Sequence, residues 1–369
     1  MSVLAIFAAI AVLAVLIVVH ELGHFMAARL QGIYANRFSL GFGPVIWKYQ
    51  GPETEYAIRA FPLGGFVGFP DDDPDSDIPP NDPNLLRNRP ILDRAIVISA
   101  GVIANLVFAY FLLVAQVGTV GITDFNFQPG VRVPEIALKS SSVAQQAGIK
   151  AGDIVLAVDG ETLGANREAI KSLMKAIQDS PNKPLQLTIQ RDQKALSLKV
   201  IPEQGEDGKG KIGVQLAPNG EVVRKRAKNL WEMFSNGAQE YQRIAILTAQ
   251  GFGQLISNFS ETAEQVSGPV AIVAIGADIA RSDAGNLFQF AALISINLAI
   301  INILPLPALD GGQLAFLAIE GIRGKPIPTE VQQNIMQTGL VLLLGLGIFL
   351  ILRDTANLVP SSWVENLFQ

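Results

Sequence analysis

Four long stretches without a charged residue constrain the fold of this chain more than any other feature. They cover residues 3–19, 95–117, 287–309 and 335–352. A helix needs roughly 20 apolar residues, and at least about 17, to cross the hydrocarbon core of a bilayer. Charged residues make up only 17% of the chain, against about 25% in ordinary soluble domains. The sequence therefore predicts a polytopic α-helical membrane protein with about four transmembrane helices.

The first apolar stretch also fits a secretory signal peptide, but poorly. No Lys or Arg precedes it, and no small-residue cleavage site follows it. The chain has no cysteine, which excludes disulfides and thiolate metal sites. Its formal net charge of −5 gives no reason to expect nucleic acid as a partner.

The predicted spans divide the chain into four regions. Residues 1–123 hold the first two spans and the loop between them, 124–203 an inserted domain, 204–284 a helical segment, and 285–369 the last two spans. Short cytoplasmic loops are rich in Lys and Arg, and basic residues are concentrated in loops 30–94 and 323–334. We therefore expect those loops in the cytoplasm and the insert outside it.

The loop after the first span has β character. A strand is expected near residues 56–61, and a turn at Gly51 and Pro52. The glycine-rich runs at 37–44 and 62–68 would let the backbone approach a ligand or another backbone segment. An ordinary glycine-rich hairpin explains the composition equally well.

The insert resembles a bacterial PDZ domain. The resemblance lies in the run Ala147-Gly-Ile-Lys-Ala-Gly-Asp153, followed by Val158-Asp-Gly160. It implies an α/β module that either binds an extended peptide by strand addition, at residues 131–136, or gates access sterically. After the insert, apolar residues spaced by three and four over 231–259 predict an amphipathic helix. That helix could lie on the membrane surface or pack on the PDZ-like module.

The two histidines of the chain are four residues apart, in His20-Glu21-Leu-Gly-His24. At this helical spacing both imidazoles project from one face and can share a metal ion, and Glu21 between them can act as general base. A polar pair closing the helix near the membrane interface is the structural alternative.

A catalytic zinc ion needs a third protein ligand and an open position. Asp310 is the best candidate, because it follows 23 uncharged residues. An ionisable residue at membrane depth costs about 3 kcal/mol on insertion scales, so it is normally functional or paired. The alternative is a carboxylate that caps the next helix at the membrane interface.

Together, the His-Glu-Leu-Gly-His motif, the run Asn302-Ile-Leu-Pro-Leu-Pro-Ala-Leu-Asp310-Gly and the PDZ-like insert resemble the site-2 protease family, over nearly the whole chain. The bacterial regulators of sigma-factor signalling are the most similar branch, and the single PDZ resembles the cyanobacterial and plastid-related form. The resemblance implies a zinc metalloprotease of the bacterial inner (plasma) membrane, with Zn²⁺ held by His20, His24 and Asp310. Its partners would be the lipid bilayer and single-pass transmembrane substrates, such as anti-sigma factors trimmed by a first protease.

The same resemblance suggests substrate contacts. The run 39–44 is similar to a membrane-associated β-loop that pairs with the substrate strand, which designates Gly41, Phe42 and Gly43. Asn302 matches an asparagine that contacts the substrate backbone or the developing oxyanion. The sequence departs from the family at Ala100-Gly101-Val102, where other members often have Ala-Gly-Pro.

Three other functions remain to be weighed. An inactive scaffold that binds peptides through its PDZ domain would have no need for Glu21 or Asp310. A metal transporter would carry more polar ligands within its spans. A soluble-type zincin on a single anchor would have its third ligand close downstream of His24, where no histidine follows.

Overall fold

The computed structural model describes residues 2–73, 76–135, 143–205, 207–262 and 266–358. Its helices are α1 (Val3–Leu30), α2 (Ile91–Thr119), α3 (Val143–Gln146), α4 (Glu168–Gln178), α5 (Leu230–Ser257), α6 (Phe259–Thr262), α7 (Pro269–Ser282), α8 (Leu287–Ile303), α9 (Asp310–Arg323) and α10 (Thr329–Leu358). Its strands are β1 (Arg37–Gln50), β2 (Glu55–Gly68), β3 (Ile122–Arg132), β4 (Ile154–Val158), β5 (Glu161–Thr162), β6 (Leu185–Arg191), β7 (Lys194–Val200), β8 (Glu203–Gln204), β9 (Gly210–Lys211) and β10 (Ala217–Lys225).

Two compact units make up the chain. One combines residues 1–121 with 226–369, and the other is Ile122–Lys225. Within the described residues, four helices are long and apolar enough to cross a membrane: α1, α2, α10, and α8 with the turn before it. The predicted number of spans is confirmed.

The helical unit is built around α2. Its apolar residues meet those of α5 and α8 in one buried cluster, formed by Ala109, Leu113, Ile244, Ala292 and Ile296. A second cluster joins α1 to α8 through Leu16, Phe290 and Ile294. The middle of the predicted amphipathic stripe, around Tyr241 and Ile244 of α5, therefore packs against two spans, whereas its ends at Trp231 and Phe259 are exposed. Helix α7 packs beside α1, where a Cβ on Gly276 would come within 2.9 Å of the Ala9 side chain.

Strands β1 and β2 form a small sheet in the loop between α1 and α2, as the β character of that loop predicts. Both strands bend. Residues 37–40 lie between two parts of β2, because Phe38 is opposite both Tyr56 and Val67. The far end of β1 runs back along the start of β2, where Tyr49 is opposite Tyr56. A turn between the strands is closed by a hydrogen bond from the Gly51 N–H to the Thr54 carbonyl (2.9 Å).

The second unit is the PDZ-like insert, whose main sheet has the strand order β10-β3-β4-β6-β7. Apolar residues from these strands and from α4 form one core, including Val131, Val155, Leu173, Leu187 and Ile189. The compact unit extends beyond the expected boundary at residue 203, because β10 pairs with β3. Ile122 and Lys225 are partners in that ladder, so the two ends of the unit are neighbours.

The strand considered for peptide binding, residues 131–136, is already paired within the insert. Val133 is buried; its N–H donates to Asp153 and its carbonyl accepts from Gly152 (both 2.8 Å). Two residues further along the chain, the Glu135 carbonyl accepts a hydrogen bond from the N–H of Gln215 (3.0 Å). Strand addition to these residues would have to displace existing hydrogen bonds. Residue 136 lies outside the described ranges, and so does residue 142, which directly precedes α3.

Candidate metal centre and active site

Helix α1 continues past the uncharged stretch to Leu30, so His20 and His24 both lie within it, one turn apart. Their Nε2 atoms are 3.2 Å from each other, and the two rings meet edge to face. Side chains at i and i+4 lie on the same face of a helix. The local fold therefore brings two nitrogen donors to one point, as the spacing predicts.

Asp310 is the first residue of α9, after a loop that follows α8. Its Oδ2 lies 3.3 Å from Nε2 of His20 and 3.4 Å from Nε2 of His24. The loop turns sharply at Ala308, whose φ is +70°. Gly311 lies so close to the end of α8 that a Cβ would be 2.1 Å from the Leu304 carbonyl oxygen. This tight loop brings a carboxylate from the third span to the histidines of the first.

The three donor atoms have the spacing of a tetrahedral metal site. With zinc–ligand bonds of about 2.0–2.1 Å, tetrahedral donors lie about 3.3 Å apart. The three separations here are 3.2, 3.3 and 3.4 Å. Oδ2 of Asp310 is buried and has no hydrogen-bond partner in the described part of the chain, as expected of an atom that ligates a metal. Two imidazoles and one carboxylate are also a known catalytic zinc donor set.

Helix α2 has a glycine where it passes the two imidazoles, and the missing side chain leaves space for them. A Cβ on Gly101 would come within 2.3 Å of Nε2 of His24 and 2.8 Å of Cε1 of His20. The two helices cross closely at this level, since a Cβ on Gly23 would be 2.4 Å from the Ala100 carbonyl oxygen. A glycine in each helix is therefore needed for the site to form.

Hydrogen bonding on the far side of the ring orients His24. Its Nδ1 lies 2.9 Å from the carbonyl oxygen of Val97 on α2. A carbonyl oxygen can only accept, so Nδ1 carries the proton and Nε2 presents its lone pair toward Asp310. Such partners fix the tautomer and orientation of ligating histidines.

Glu21 is separate from the group of donors. Among the described residues, the atoms of His20, His24 and Asp310 lie within 4.8 Å of one another, and Glu21 is not in that group. Its side chain instead lies against β2, where a Cβ on Gly65 would be 2.9 Å from Glu21 Cγ. The Glu21 carboxylate is thus left free of the donor group, which is compatible with the predicted role of general base.

The predicted substrate-binding residues divide into two groups. Asn302, near the end of α8, joins the donor cluster: its Nδ2 lies 3.3 Å from Nε2 of His20. Gly41, Phe42 and Gly43 lie in β1. Gly41 lines a cavity of about 140 Å³ between the sheet and residues Ala14, Ile17 and Val18 of α1. The Gly43 carbonyl accepts a hydrogen bond from Arg59 (2.9 Å).

Sequence reasoning did not identify several residues around this site. Gly101 enters the sequence analysis only as part of the tripeptide Ala100-Gly101-Val102, which departs from the family pattern at Val102, and Gly65 only as part of a glycine-rich run. The ion pair between Arg94 on α2 and Glu320 on α9 (3.0 Å between Nη1 and Oε2) joins elements 226 residues apart, which no local pattern reveals. Asn105 could have been found from the sequence, because a polar amide within an uncharged span is conspicuous.

Comparison with known proteins identifies the family. The profile of peptidase family M50 matches residues 8–346. The protein all3971 of Nostoc sp. strain PCC 7120 is 66% identical over 367 residues, covering 99% of this chain and 100% of that protein. The membrane metalloprotease ARASP of Arabidopsis thaliana chloroplasts is 49% identical, covering 95% of this chain and 78% of its own. The regulator of sigma-E protease RseP of Escherichia coli is 30% identical, covering 92% of this chain and 96% of its own.

Among solved structures, the PDZ domain of the SdrC-like protein Lmo2051 from Listeria monocytogenes aligns with 24% of this chain and 87% of its own length, at 18% identity and a TM-score of 0.21. The cyanobacterial and chloroplast relatives agree with the form that the single PDZ-like insert resembles. The chain belongs to peptidase family M50, the site-2 proteases, and is a membrane zinc metalloprotease with an inserted PDZ-like domain.

Proposed function

We propose that this protease cleaves the transmembrane segments of single-pass membrane proteins, such as anti-sigma factors, after a first protease has trimmed them. The observation that carries the proposal is the position of the donor group. His20 and His24 lie in a membrane-spanning helix, and Asp310 follows a second span. A hydrolytic site built from spans is suited to a peptide bond that lies within the bilayer.

The donor geometry supports the following roles. His20, His24 and Asp310 would hold a zinc ion, which when bound would polarise the scissile carbonyl and make water a nucleophile near neutral pH. Glu21 accepts the proton of the attacking water and later delivers it to the leaving amine. The amide of Asn302, beside Nε2 of His20, donates to the oxyanion that develops on the carbonyl oxygen.

The substrate must be unwound before it can be cut. An α-helix hides its carbonyls in its own hydrogen bonds, and freed backbone groups need partners within the membrane. In the described sheet, residues 65–68 pair with β1 on one side only, and Gly65 touches Glu21. This edge can receive an extended substrate strand by β-addition next to the general base. Gly41–Gly43 would support it from within the sheet.

A route from the lipid to the site lies beside α10. An apolar cavity of about 390 Å³ is lined by Leu306 and Pro307 and by side chains of α10, among them Ile335 and Leu342. The loop that carries these residues leads directly into Asp310. Most of the side chains of α10 are exposed to the surroundings of the protein, and α10 meets the loop through Gly339, which packs against Pro307. A substrate helix that enters here would displace this contact.

The PDZ-like unit acts in this proposal as a size filter on the extracytoplasmic side of the inner membrane. Its side follows from the basic residues of the short loops. Exclusion is favoured over peptide capture at residues 131–135, because that strand is already hydrogen-bonded within the unit.

Deletion of the unit tests the filter. Because Ile122 and Lys225 are neighbours, a short flexible linker can replace residues 122–225. Steric exclusion predicts that the shortened protease cuts untrimmed substrates and still cuts trimmed ones. If untrimmed substrates stay uncut while trimmed ones are cleaved, the filter is refuted and the protease assignment stands.

A further inference from the structure

Asn105 is a fully buried amide in the middle of α2, with no exposed surface. A buried amide that lacks a hydrogen-bond partner destabilises the folded protein. Its neighbours on α2 are mainly apolar. The buried side chain therefore needs a polar partner that forms a hydrogen bond with it.

That partner is the zinc-ligand candidate His20. The Nδ2 atom of Asn105 lies 3.4 Å from Nδ1 of His20. The Oδ1 atom of the same amide is buried and has no hydrogen-bond partner within the described ranges. The oxygen and nitrogen of an amide exchange places when its plane turns by 180°, and their placement is assigned from the hydrogen-bond network.

The tautomer of His20 decides between the two amide orientations. Nε2 of His20 faces Oδ2 of Asp310 and Nε2 of His24, so this atom provides the lone pair of a metal ligand. A neutral imidazole with its lone pair on Nε2 carries its proton on Nδ1. That N–H needs an acceptor, and an amide Nδ2 cannot accept. With the amide turned, Oδ1 takes the place of Nδ2 and receives the proton.

The same arrangement is visible at the other histidine. There Nδ1 of His24 meets the carbonyl oxygen of Val97 on the same helix, α2, at 2.9 Å. Each imidazole thus has its metal-facing nitrogen on one side and a polar group of α2 on the other, the Val97 carbonyl for His24 and the Asn105 amide for His20. The difference is that the group facing His20 is a side chain, which can be changed by mutation.

The backbone of Asn105 is held independently. Ser295 of α8, also fully buried, donates its hydroxyl hydrogen to the Asn105 carbonyl oxygen (2.8 Å). This bond ties α2 to α8 at the level of His20 and uses the backbone oxygen. The side-chain amide is therefore free to form a hydrogen bond with the imidazole of His20.

We propose that Asn105 is a positioning residue of the metal site: its Oδ1 accepts the Nδ1 proton of His20, which fixes the ring orientation and directs the Nε2 lone pair to the metal. The proposal rests on His20 being a zinc ligand. Loss of the partner that orients a ligating histidine typically weakens metal affinity 10- to 100-fold.

The test measures the zinc affinity of the full-length wild type and variants in detergent. Zn²⁺ is added as the only metal, and a chromophoric chelator competes with the protein for it. Asn105→Leu keeps the side-chain size and removes the acceptor, and should raise the zinc dissociation constant about 10- to 100-fold. Asn105→Asp keeps an acceptor and cannot donate, and should bind zinc at least as tightly as the wild type. Gln116→Leu is the matched control, because Gln116 is a second buried amide of α2, 11 positions further on. It should leave the affinity within about threefold.

Four results would overturn the proposal. Wild-type affinity in Asn105→Leu would show that His20 does not use the amide. An equal loss in Asn105→Asp and Asn105→Leu would show that a donor, and not an acceptor, is needed. An equal loss in Gln116→Leu would assign the effect to general disturbance of α2. If the wild-type protein itself bound no zinc, the ligand assignment would fall first, and the role of Asn105 with it.

Discussion

Gly101 of α2 lies directly against His24 of α1, with no space for a side chain between them. A Cβ at position 101 would be 2.3 Å from Nε2, the nitrogen that faces Asp310. Real Cβ atoms do not approach a ring nitrogen this closely, so any larger residue must move the imidazole or separate the helices. The helix crossing and the metal site therefore depend on the same glycine.

Gly101→Ala is expected to lower zinc occupancy and to reduce proteolysis at least tenfold, because the added methyl group displaces a ligand. Zinc content by elemental analysis of the purified protein measures the first effect directly. Gly345→Ala in α10 is the matched control, since nothing lies within 4 Å of a Cβ at that position. Full zinc content in Gly101→Ala would contradict the close packing described here.

The ion pair between Arg94 and Glu320 should hold α9, and therefore Asp310, against α2. Both side chains are largely buried, at 16% and 14% exposure. Breaking a buried pair leaves an uncompensated charge and costs about 3–5 kcal/mol. Arg94→Met and Glu320→Gln should each lower the thermal unfolding midpoint and the zinc content. The double variant should lose less than the sum of the two, as a double-mutant cycle would detect. Single variants indistinguishable from the wild type would exclude this role.

Asp153 should make the stability of the PDZ-like unit depend on pH. Burial alone would raise the pKa of this carboxyl group, but hydrogen bonds from Arg191 (2.7 and 2.8 Å) and from the Lys150 N–H (2.7 Å) hold the pKa below its ordinary value. A group with a lowered folded-state pKa stabilises the fold above its unfolded pKa of about 3.9. That stability is complete at neutral pH and is lost as the pH falls below about 4.

Hydrogen exchange of residues 143–200 in the whole protein measures this effect. Protection should fall as the pH is lowered from 5 toward 3, after correction for the intrinsic exchange rate. Asp153→Asn should reduce protection already at pH 7, by roughly 3 kcal/mol of opening free energy. The exposed Asp179→Asn serves as control. Equal protection in Asp153→Asn and the wild type would refute the structural role of the pair.

The proposed orientation can be tested with single cysteines, because the native chain has none. Lys183 in the insert and Lys48 in β1 are both exposed. In intact cells stripped of any outer membrane, a membrane-impermeant maleimide should label Lys183→Cys and leave Lys48→Cys unlabelled until the cells are lysed. Labelling of Lys48→Cys alone in intact cells would invert the topology and place the PDZ-like unit in the cytoplasm.

The sequence predicts the parts of this protein that local patterns specify. Uncharged runs predict the four spans, and the spacing of His20 and His24 predicts two donors on one helix face. Asp310 is conspicuous because a carboxylate after 23 uncharged residues is costly in a membrane. Each of these signals depends only on neighbours along the chain.

What the sequence does not predict depends on contacts between distant segments. The space for the imidazoles comes from Gly101, which is 77 residues from His24. The sheet edge beside Glu21 arises because β1 and β2 bend and pair twice. Likewise the apolar spacing in α5 predicts an amphipathic helix on the membrane surface or on the PDZ-like module, whereas in the structure Ile244 and Tyr241 of α5 pack against α2 and α8.

The most direct test of the central claim is zinc content by native mass spectrometry, combined with cleavage of a transmembrane substrate by the same samples. The wild type should carry one zinc ion and cleave. Glu21→Gln should carry one zinc ion and not cleave, and Asp310→Asn should lose both. Zinc loss in Glu21→Gln, cleavage by that variant, or undiminished zinc in Asp310→Asn would contradict the assignment of the site.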